Sequence, residues 1–268
     1  MNQEQPQNDV AALLALAEQA AREAGALLRE QWRQPQQVQH KGFRDWVTAA
    51  DFASQALIVE RILTTYPDHG FLPEEEAPEL ATSGDIIWII DPVDGTSNFS
   101  RQQPNFCISI AATSESQVLA GVIYDPVRNE LFAASQGNGA TLNGEPMTVS
   151  NIGDPLASIV AFDWGHSPEK RQETLDILQR IGHEVHSFRA LGSAALALAW
   201  LAAGRLDAYF NNNIKAWDLA AGLLLINEAG GRCTDSQHEP CSPLAPGGYT
   251  VATNGQLHDW FQALIFER

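Results

Sequence analysis

The apolar residues near the N-terminus recur at helical spacing. They are Leu13, Ala17, Ala21, Ala24 and Leu28. Asp9 precedes them in the position of an N-cap, so we predict a helix that begins there and ends near residue 34. Proline, glycine and glutamine break this pattern over residues 34–45, which we interpret as a loop. A second helix is predicted to follow, because Thr48 and Asp51 have the spacing of a capping box.

Short apolar runs then replace the helical pattern. Glycine, proline and asparagine separate them, as is typical of strands joined by tight turns. The first group of predicted strands covers residues 86–90, 106–113, 118–125 and 131–135. Later strands are predicted at 158–163, 208–210 and 249–252, and later helices from Ser167, over 193–203 and over 217–228. The pattern predicts a mixed α/β protein, which we divide into residues 1–150 and 151–268 and expect to form one compact unit.

The composition is that of a globular protein, with 44% hydrophobic and 18% charged residues in a chain of 268. The net charge of −17 repels nucleic-acid phosphates and anionic membranes, so neither is expected as a partner. The first ten residues show no signal peptide, and the most apolar stretch, 194–203, is about half a membrane span, so we expect a cytoplasmic protein. We interpret the cysteines as isolated thiols, with pairing or metal binding by Cys233 and Cys241 as the alternatives.

The segment WIIDPVDGTSNF carries the strongest chemical signal. A buried strand is predicted to end at two carboxylates, Asp91 and Asp94, and Gly95 then permits a tight turn. Thr96 follows at the predicted start of a helix, where it offers a hydroxyl and a backbone N–H group. Carboxylates beside free N–H groups can hold a divalent cation and a phosphate side by side. The alternative interpretation is a β-turn, because Asp-Pro and Asp-Gly are common in turns.

Two further segments place acidic residues in recognisable settings. The run PEEE at 73–76 follows an apolar pair and, taken alone, is typical of a solvated charge run. In AWDLAAG, Asp218 follows Trp217 near a predicted helix start, where an acidic residue is usually an N-cap. The loop at 162–171 is expected to border the pocket in which these acidic residues would lie.

Together the motifs FLPEEE, DPVDGTSNF and AWDLAAG resemble the inositol monophosphatase family of magnesium-dependent, lithium-sensitive phosphatases. KGFRDWVTAAD and RALGSAA extend the similarity over nearly the whole chain. The resemblance implies a layered αβαβα sandwich, a homodimer and up to three Mg²⁺ ions per site. All-oxygen ligation suits Mg²⁺, and four carboxylates facing a phosphate dianion would repel one another strongly without cations.

The resemblance also implies roles for individual residues. The implied metal ligands are Glu74, Asp91, the carbonyl group of Val93, Asp94 and Asp218. Glu74 and Thr96 would act in catalysis, Thr96 by helping to orient the attacking water, and Asp51 would position Thr96. The implied substrate-binding residues are Asp94, Gly95, Thr96, Gly192, Ser193, Ala194, Asn211 and Asp218. Lys41 would lie in a mobile loop that closes over the metals.

The activity implied is hydrolysis of a small phosphate monoester by direct attack of a metal-activated water. Inositol 1-phosphate is the leading candidate, and related enzymes act on histidinol phosphate, fructose 1,6-bisphosphate or 3′-phosphoadenosine 5′-phosphate. Asn211 stands where inositol-specific members have a glutamate, although three consecutive asparagines could equally form a polar turn. Lys215 either attracts a second anionic group or forms a surface ion pair. A non-catalytic regulatory protein is the alternative from another class, since some members bind the transcription apparatus.

Overall fold

The computed structural model describes residues 9–42, 45–115, 117–244 and 247–266. Residues 1–8, which carry most of the evidence for our expectation about a signal peptide, lie outside the described part. In that part of the chain, no helix is both long and apolar enough to cross a membrane. The helices described are α1 (Val10–Trp32), α2 (Ala49–Thr65), α3 (Thr96–Ser100), α4 (Pro168–Ile181), α5 (Ala194–Ala202), α6 (Ala216–Glu228) and α7 (His258–Phe266).

Both predicted N-terminal helix starts are confirmed. The Asp9 side chain accepts a hydrogen bond from the backbone N–H of Ala11 at 3.0 Å and caps α1. At α2, Asp51 Oδ2 accepts a hydrogen bond from the backbone N–H of Thr48 at 2.9 Å, which completes the capping box. Asp51 is fully buried, so this cap also fixes a carboxylate inside the protein.

The strands form a hairpin and two larger sheets. The hairpin pairs β1 (Gln39–Gly42) with β2 (Asp45–Val47). The seven-stranded sheet has the order β3 to β9, namely Gly70–Pro73, Ile87–Asp94, Cys107–Ser114, Gln117–Asp125, Glu130–Ser135, Ala140–Leu142 and Glu145–Met147. The strands of the second sheet are β10 (Ile159–Phe162), β11 (Ser187–Arg189), β12 (Ala208–Ile214), β13 (Arg232–Thr234) and β14 (Gly248–Thr253). Their spatial order is β11-β10-β12-β14-β13.

Alternating side chains on the strands bury two faces of each large sheet. On β4, Trp88 and Ile90 pack into the core beneath α1 and α2, while Ile89 faces the opposite core with α5 and α6. On β10, Ala161 faces that same middle core, whereas its neighbours Val160 and Phe162 pack toward α4 and α7. The layers therefore run α1/α2, seven-stranded sheet, α5/α6, five-stranded sheet, α4/α7, which confirms the αβαβα sandwich.

A glycine brings the middle helix layer close to the seven-stranded sheet. A Cβ atom placed on Gly121 of β6 would lie 3.1 Å from the Cα of Ala221 on α6. A side chain at this position would push the helix away by a few tenths of an ångström, so glycine allows the helix backbone to rest on the strand. This packing fixes the height of α6, and with it Asp218, above the end of β4. The two large sheets come from either side of residue 150, and we keep the division there as a proposal.

Within the predicted loop 34–45, residues 39–42 and Asp45 belong to strands instead, because β1 pairs with β2. Of the two alternatives for the asparagines 211–213, the structure excludes the polar turn, since these residues continue β12. The cysteines are free thiols, as predicted. The Sγ atoms of Cys233 and Cys241 nevertheless lie 3.1 Å apart, since a hydrogen bond from Cys241 N to Cys233 O joins their backbones.

Candidate metal centre

A bulge at the end of β4 brings two carboxylates to the same place. Asp91 pairs with Ser109 and Asp94 pairs with Cys107, so three residue steps on β4 match two on β5. In a regular strand, residues three apart face opposite sides of the sheet. The bulge removes that opposition, and an oxygen of Asp91 lies within 4.8 Å of one from Asp94.

Asp218 supplies the third carboxylate from the first turn of α6. The interpretation of Asp218 as the N-cap is wrong, because Lys215 is the N-cap of α6 and Asp218 lies at the third helical position. From there Asp218 Oδ2 accepts a hydrogen bond from the backbone N–H of Lys215 at 3.2 Å. An Asp218 oxygen also lies within 4.8 Å of oxygens from Asp91 and Asp94, so this hydrogen bond is compatible with a role as metal ligand.

Glu74 and Glu75 follow β3, and both carboxylates contact the ammonium group of Lys41. Lys41 Nζ lies 2.9 Å from Glu74 Oε1 and 2.7 Å from Glu75 Oε1. Gln55 holds the backbone of Glu75 from both sides: its Oε1 accepts from Glu75 N at 3.1 Å, and its Nε2 donates to Glu75 O at 3.0 Å. The interpretation of the glutamates as a solvated charge run is wrong, since Glu75 is only 2% exposed. Lys41 itself lies on β1, in contact with the acidic cluster.

Asp94 joins the metal centre to the start of α5. Its Oδ2 accepts hydrogen bonds from Ser193 Oγ at 2.6 Å and Ala195 N at 2.7 Å, and its Oδ1 accepts from Ala194 N at 3.2 Å. Cys107 Sγ lies 3.5 Å from Oδ2. These donors, together with the positive end of the α5 dipole, stabilise the charged form of Asp94.

Gly95 and Thr96 form the turn from β4 into α3. Gly95 has φ +95°, and a Cβ there would lie 2.9 Å from the carbonyl oxygen of Asn105, so glycine is required. Thr96 Oγ1 donates to Asp51 Oδ1 at 2.8 Å. The predicted contact between Asp51 and Thr96 is therefore present, and Asp51 links the α2 cap to this turn.

The carboxylates destabilise one another's charged forms. Burial, followed by the charges of Glu74, Asp94 and Asp218, raises the pKa of Asp91 well above its ordinary value. Burial raises the pKa of Glu74 to about 7, although the charge of Lys41 opposes this shift. Burial and then the charge of Asp94 also raise the pKa of Asp218. A bound cation would remove this conflict, and the all-carboxylate donor set fits Mg²⁺.

The centre opens into a cavity of about 280 Å³. Most of the predicted site residues line it: Glu74, Asp91, Val93, Asp94, Gly95, Thr96, Gly192, Ser193, Ala194, Asn211 and Asp218. Asp51 and Lys41 contact lining residues without lining the cavity themselves. Lys215 is exposed and also lines the cavity, a position that allows it to contact an anionic group there.

Other lining residues were not identified individually from the sequence. They include Asp45, Trp46, Asp163, Trp164, His166, Arg171 and Trp217. The expectation that residues 162–171 border the pocket is confirmed by four of these. Asp163 directly follows β10, just as Asp91 lies near the end of β4, and an acidic residue after a buried strand was the available signal.

Comparisons with known proteins find similar sequences and structures. A model of the inositol monophosphatase family matches residues 9–267. Nus factor SuhB of Escherichia coli is 40% identical over 226 residues, which span 83% of this chain and 85% of that protein. Inositol-1-monophosphatase of Synechocystis is 37% identical over 257 residues, 94% of this chain and 88% of that protein. The solved structure of extragenic suppressor protein suhB from Bartonella henselae has a TM-score of 0.89, 33% identity and coverage of 96% of this chain and 99% of that one.

Proposed function

Because this chain belongs to the inositol monophosphatase family, we propose that it is a Mg²⁺-dependent phosphomonoesterase acting on a small phosphorylated alcohol. Inositol 1-phosphate is the leading candidate for the substrate. The observation that carries the proposal is the group formed by Asp91, Asp94 and Asp218, whose oxygens lie within 4.8 Å of one another. This group lies beside the Gly95–Thr96 turn at one cavity.

The metal ligands in this proposal are the five from the family resemblance. They are Glu74, Asp91, the Val93 carbonyl group, Asp94 and Asp218. Bound there, up to three Mg²⁺ ions would supply a more acidic water and offset the negative charge of the phosphate ester. Lys41 neutralises part of the Glu74 and Glu75 charge in their absence, so we propose that its contact with Glu74 changes as metal binds.

Thr96 is proposed to orient the attacking water. Its Oγ1 lies 2.8 Å from Asp51 Oδ1 and 3.1 Å from the Val93 carbonyl oxygen, so its single hydrogen is directed at one of these acceptors and the Oγ1 lone pairs are left to accept a hydrogen bond from that water. Asp51 is fixed by the Thr48 cap, so this acceptor is in place before substrate binds. We assign Glu74 the remaining catalytic role, as a proton acceptor beside the cavity.

The phosphate group is proposed to lie at the start of α3. The first backbone N–H groups of a helix have no partner within the helix, so those of Gly95 and Thr96 are suited to phosphate oxygens. Gly192, Ser193 and Ala194 come from the second half of the chain and line the cavity beside this turn, where a Cβ on Gly95 would lie 3.1 Å from Gly192 O. Asn211 lies on the same cavity, where its amide can bond a hydroxyl of the alcohol.

The test is phosphate release with Mg²⁺ from inositol 1-phosphate, histidinol phosphate, fructose 1,6-bisphosphate and 3′-phosphoadenosine 5′-phosphate. Asp91→Asn should abolish release from whichever ester is turned over. This variant is cleaner than Asp94→Asn, since Asp94 also holds the start of α5. Turnover retained in Asp91→Asn would contradict the site assignment. Inhibition by Li⁺ is a further expected property.

A second candidate function is regulatory binding to a protein partner. Its specific support is the 40% identity to a relative named Nus factor SuhB. The net charge of −17 favours a basic protein over RNA as the direct partner. A stoichiometric partner in a pull-down, combined with no phosphate release in protein shown to bind Mg²⁺, would place this candidate first.

We also propose a cytoplasmic homodimer that binds neither nucleic acid nor membranes. The support is the family resemblance for the dimer and the net charge for the excluded partners. Light scattering after size-exclusion chromatography tests the dimer, and RNA and anionic-vesicle binding assays test the exclusions. A monomer mass or tight binding to either anionic surface would contradict the corresponding statement.

A further inference from the structure

Asp163 is a buried carboxylate on the cavity wall that the proposed metal centre does not use. It directly follows β10 and is 9% exposed. Its Oδ1 accepts a hydrogen bond from Gly192 N at 2.9 Å, and its Oδ2 accepts from Tyr209 OH at 3.2 Å. Burial, followed by the charge of Asp94, raises the pKa of Asp163 to about 7, so the carboxylate is ionised above that pH. An ionised carboxylate has about four acceptor positions, so two remain for a ligand.

Asp163 belongs to a chain of hydrogen bonds that reaches Asn211. The Tyr209 hydroxyl donates to Asp163 and accepts from Asn211 Nδ2 at 3.1 Å, while Asn211 Oδ1 accepts from Asn213 N at 2.7 Å. Tyr209 is fully buried, and both Asp163 and Asn211 line the cavity. The network therefore fixes two polar side chains that face one ligand space, one of them an acceptor and the other with an N–H left to donate.

Gly192 places this hydrogen-bond network next to the Gly95–Thr96 turn. A Cβ on Gly95 would lie 3.1 Å from Gly192 O, while the N–H of Gly192 points to Asp163. One residue thus separates the Gly95–Thr96 turn from Asp163. Asp163, Asn211 and the Gly95–Thr96 turn line the same cavity, so an ester whose phosphate lies at that turn has room for its alcohol part beside Asp163 and Asn211.

We propose that Asp163 determines specificity by accepting a hydrogen bond from a hydroxyl of the alcohol part of the substrate. This inference rests on the proposed phosphatase function and narrows it to polyol phosphates. Position 211 carries an amide, so in this chain the acidic acceptor for the alcohol is supplied by β10 instead of β12. Esters without free hydroxyl groups should gain nothing from it.

The test compares wild type with Asp163→Asn on two substrates, inositol 1-phosphate and p-nitrophenyl phosphate. Asparagine keeps the shape and can still accept from Gly192 N, but it loses the charged acceptor. We expect KM for inositol 1-phosphate to rise about ten- to a hundredfold, the range for a hydrogen bond to a charged group. The kcat/KM for p-nitrophenyl phosphate should change less than about twofold. Asp154 caps the short 3₁₀ helix Pro155–Ala157, away from the cavity. Asp154→Asn therefore makes the same charge change and should leave the kinetics on both substrates unchanged.

The other outcomes would overturn the inference. An equal loss on both substrates would mean that Asp163 only supports the Gly192 segment, and unchanged kinetics would mean that it contacts no substrate. If wild type hydrolyses neither of these esters nor any ester of the panel given under the proposed function, the proposed phosphatase function fails. Calorimetric titration of inositol 1-phosphate with Ca²⁺ in place of Mg²⁺ then decides the inference separately. Weaker binding in Asp163→Asn would support it, and equal binding, or no binding by wild type, would contradict it.

Discussion

Replacing Asp91 with asparagine should make the metal-free protein more stable while destroying its metal response. Asparagine keeps an oxygen for the hydrogen bond that Asp91 Oδ1 accepts from Val93 N at 3.0 Å. What is lost is a buried negative charge whose oxygen lies within 4.8 Å of oxygens from Asp94 and Asp218. The variant therefore separates the stability cost of the acidic cluster from its metal-binding function.

The size of the effect follows from the separation of the charges. Two unit charges 4.8 Å apart repel by about 3.5 kcal/mol at an effective dielectric constant of about 20. Protonation relieves part of this repulsion, as the raised pKa of Asp91 indicates. We therefore expect Asp91→Asn to raise the free energy of unfolding without metal by about 1–3 kcal/mol at neutral pH.

The sign of the pH dependence follows from the same pKa. A folded-state pKa above the unfolded value means that wild type loses stability as the pH rises toward that folded-state pKa. Glu74, with a pKa raised to about 7, adds to this loss between about pH 4.5 and 7 in both proteins. The difference between Asp91→Asn and wild type should therefore be small near pH 4 and grow toward pH 8.

Urea denaturation followed by tryptophan fluorescence in EDTA and in Mg²⁺ measures both effects. Wild type should gain stability with Mg²⁺, by about 2.7 kcal/mol at a concentration one hundred times Kd, and Asp91→Asn should gain much less. Asp154→Asn controls for net charge and should match wild type throughout. A variant less stable than wild type in EDTA, or one stabilised equally by Mg²⁺, would refute the reasoning.

Three further predictions address the turn and its surroundings. Gly95→Ala should destabilise the protein by at least about 1–3 kcal/mol in urea titrations and abolish phosphate release, because φ is +95° and two carbonyl oxygens lie within 3.1 Å of the new Cβ. Thr96→Val and its control Thr113→Val each remove a buried hydroxyl that donates a hydrogen bond, so each should lower the free energy of unfolding by about 1–3 kcal/mol. Only Thr96→Val should lower kcat. Equal losses of kcat in the two variants would contradict the catalytic role of Thr96. Lys41→Met should lower metal-free stability by about 1–2 kcal/mol by leaving two glutamates unpaired, and unchanged stability in EDTA would count against this ion pair.

Much of the fold could be predicted because its elements carry strong local patterns. The spacing of apolar residues in α1 and the Thr48–Asp51 capping box are properties of short segments, and both are confirmed. The short strands β1 and β3 were missed, since each is only four residues long and is defined by its pairing, β1 with the neighbouring β2 and β3 with β4. The extension of β12 through Asn211 was missed because it depends on distant residues: Asn211 pairs with Thr250 of β14, and Asn212 Nδ2 donates a hydrogen bond to Lys170 O at 2.7 Å.

In the candidate site, too, the residues of one local motif were predicted and those that depend on distant contacts were not. Asp91, Asp94 and Gly95 lie in one motif whose chemistry is evident from residue order alone. Glu75 and Asp163 were not predicted as buried groups, because their burial depends on contacts from α2 and β12. Family resemblance supplied Asp218 and Glu74, which no single motif would have joined to Asp91. The residues that contact the alcohol part of the substrate could not be determined from the sequence, since they come from separate strands.

The most direct test of the central claim is phosphate release from inositol 1-phosphate by protein stripped with EDTA and then titrated with Mg²⁺. We predict no phosphate release before titration and a rate of release that rises and saturates with Mg²⁺. In Asp91→Asn, release should not recover at any Mg²⁺ concentration. Release that is undiminished in EDTA, or that persists in Asp91→Asn, would contradict the central claim. So would silence at saturating Mg²⁺ from folded wild-type protein on every ester of the panel.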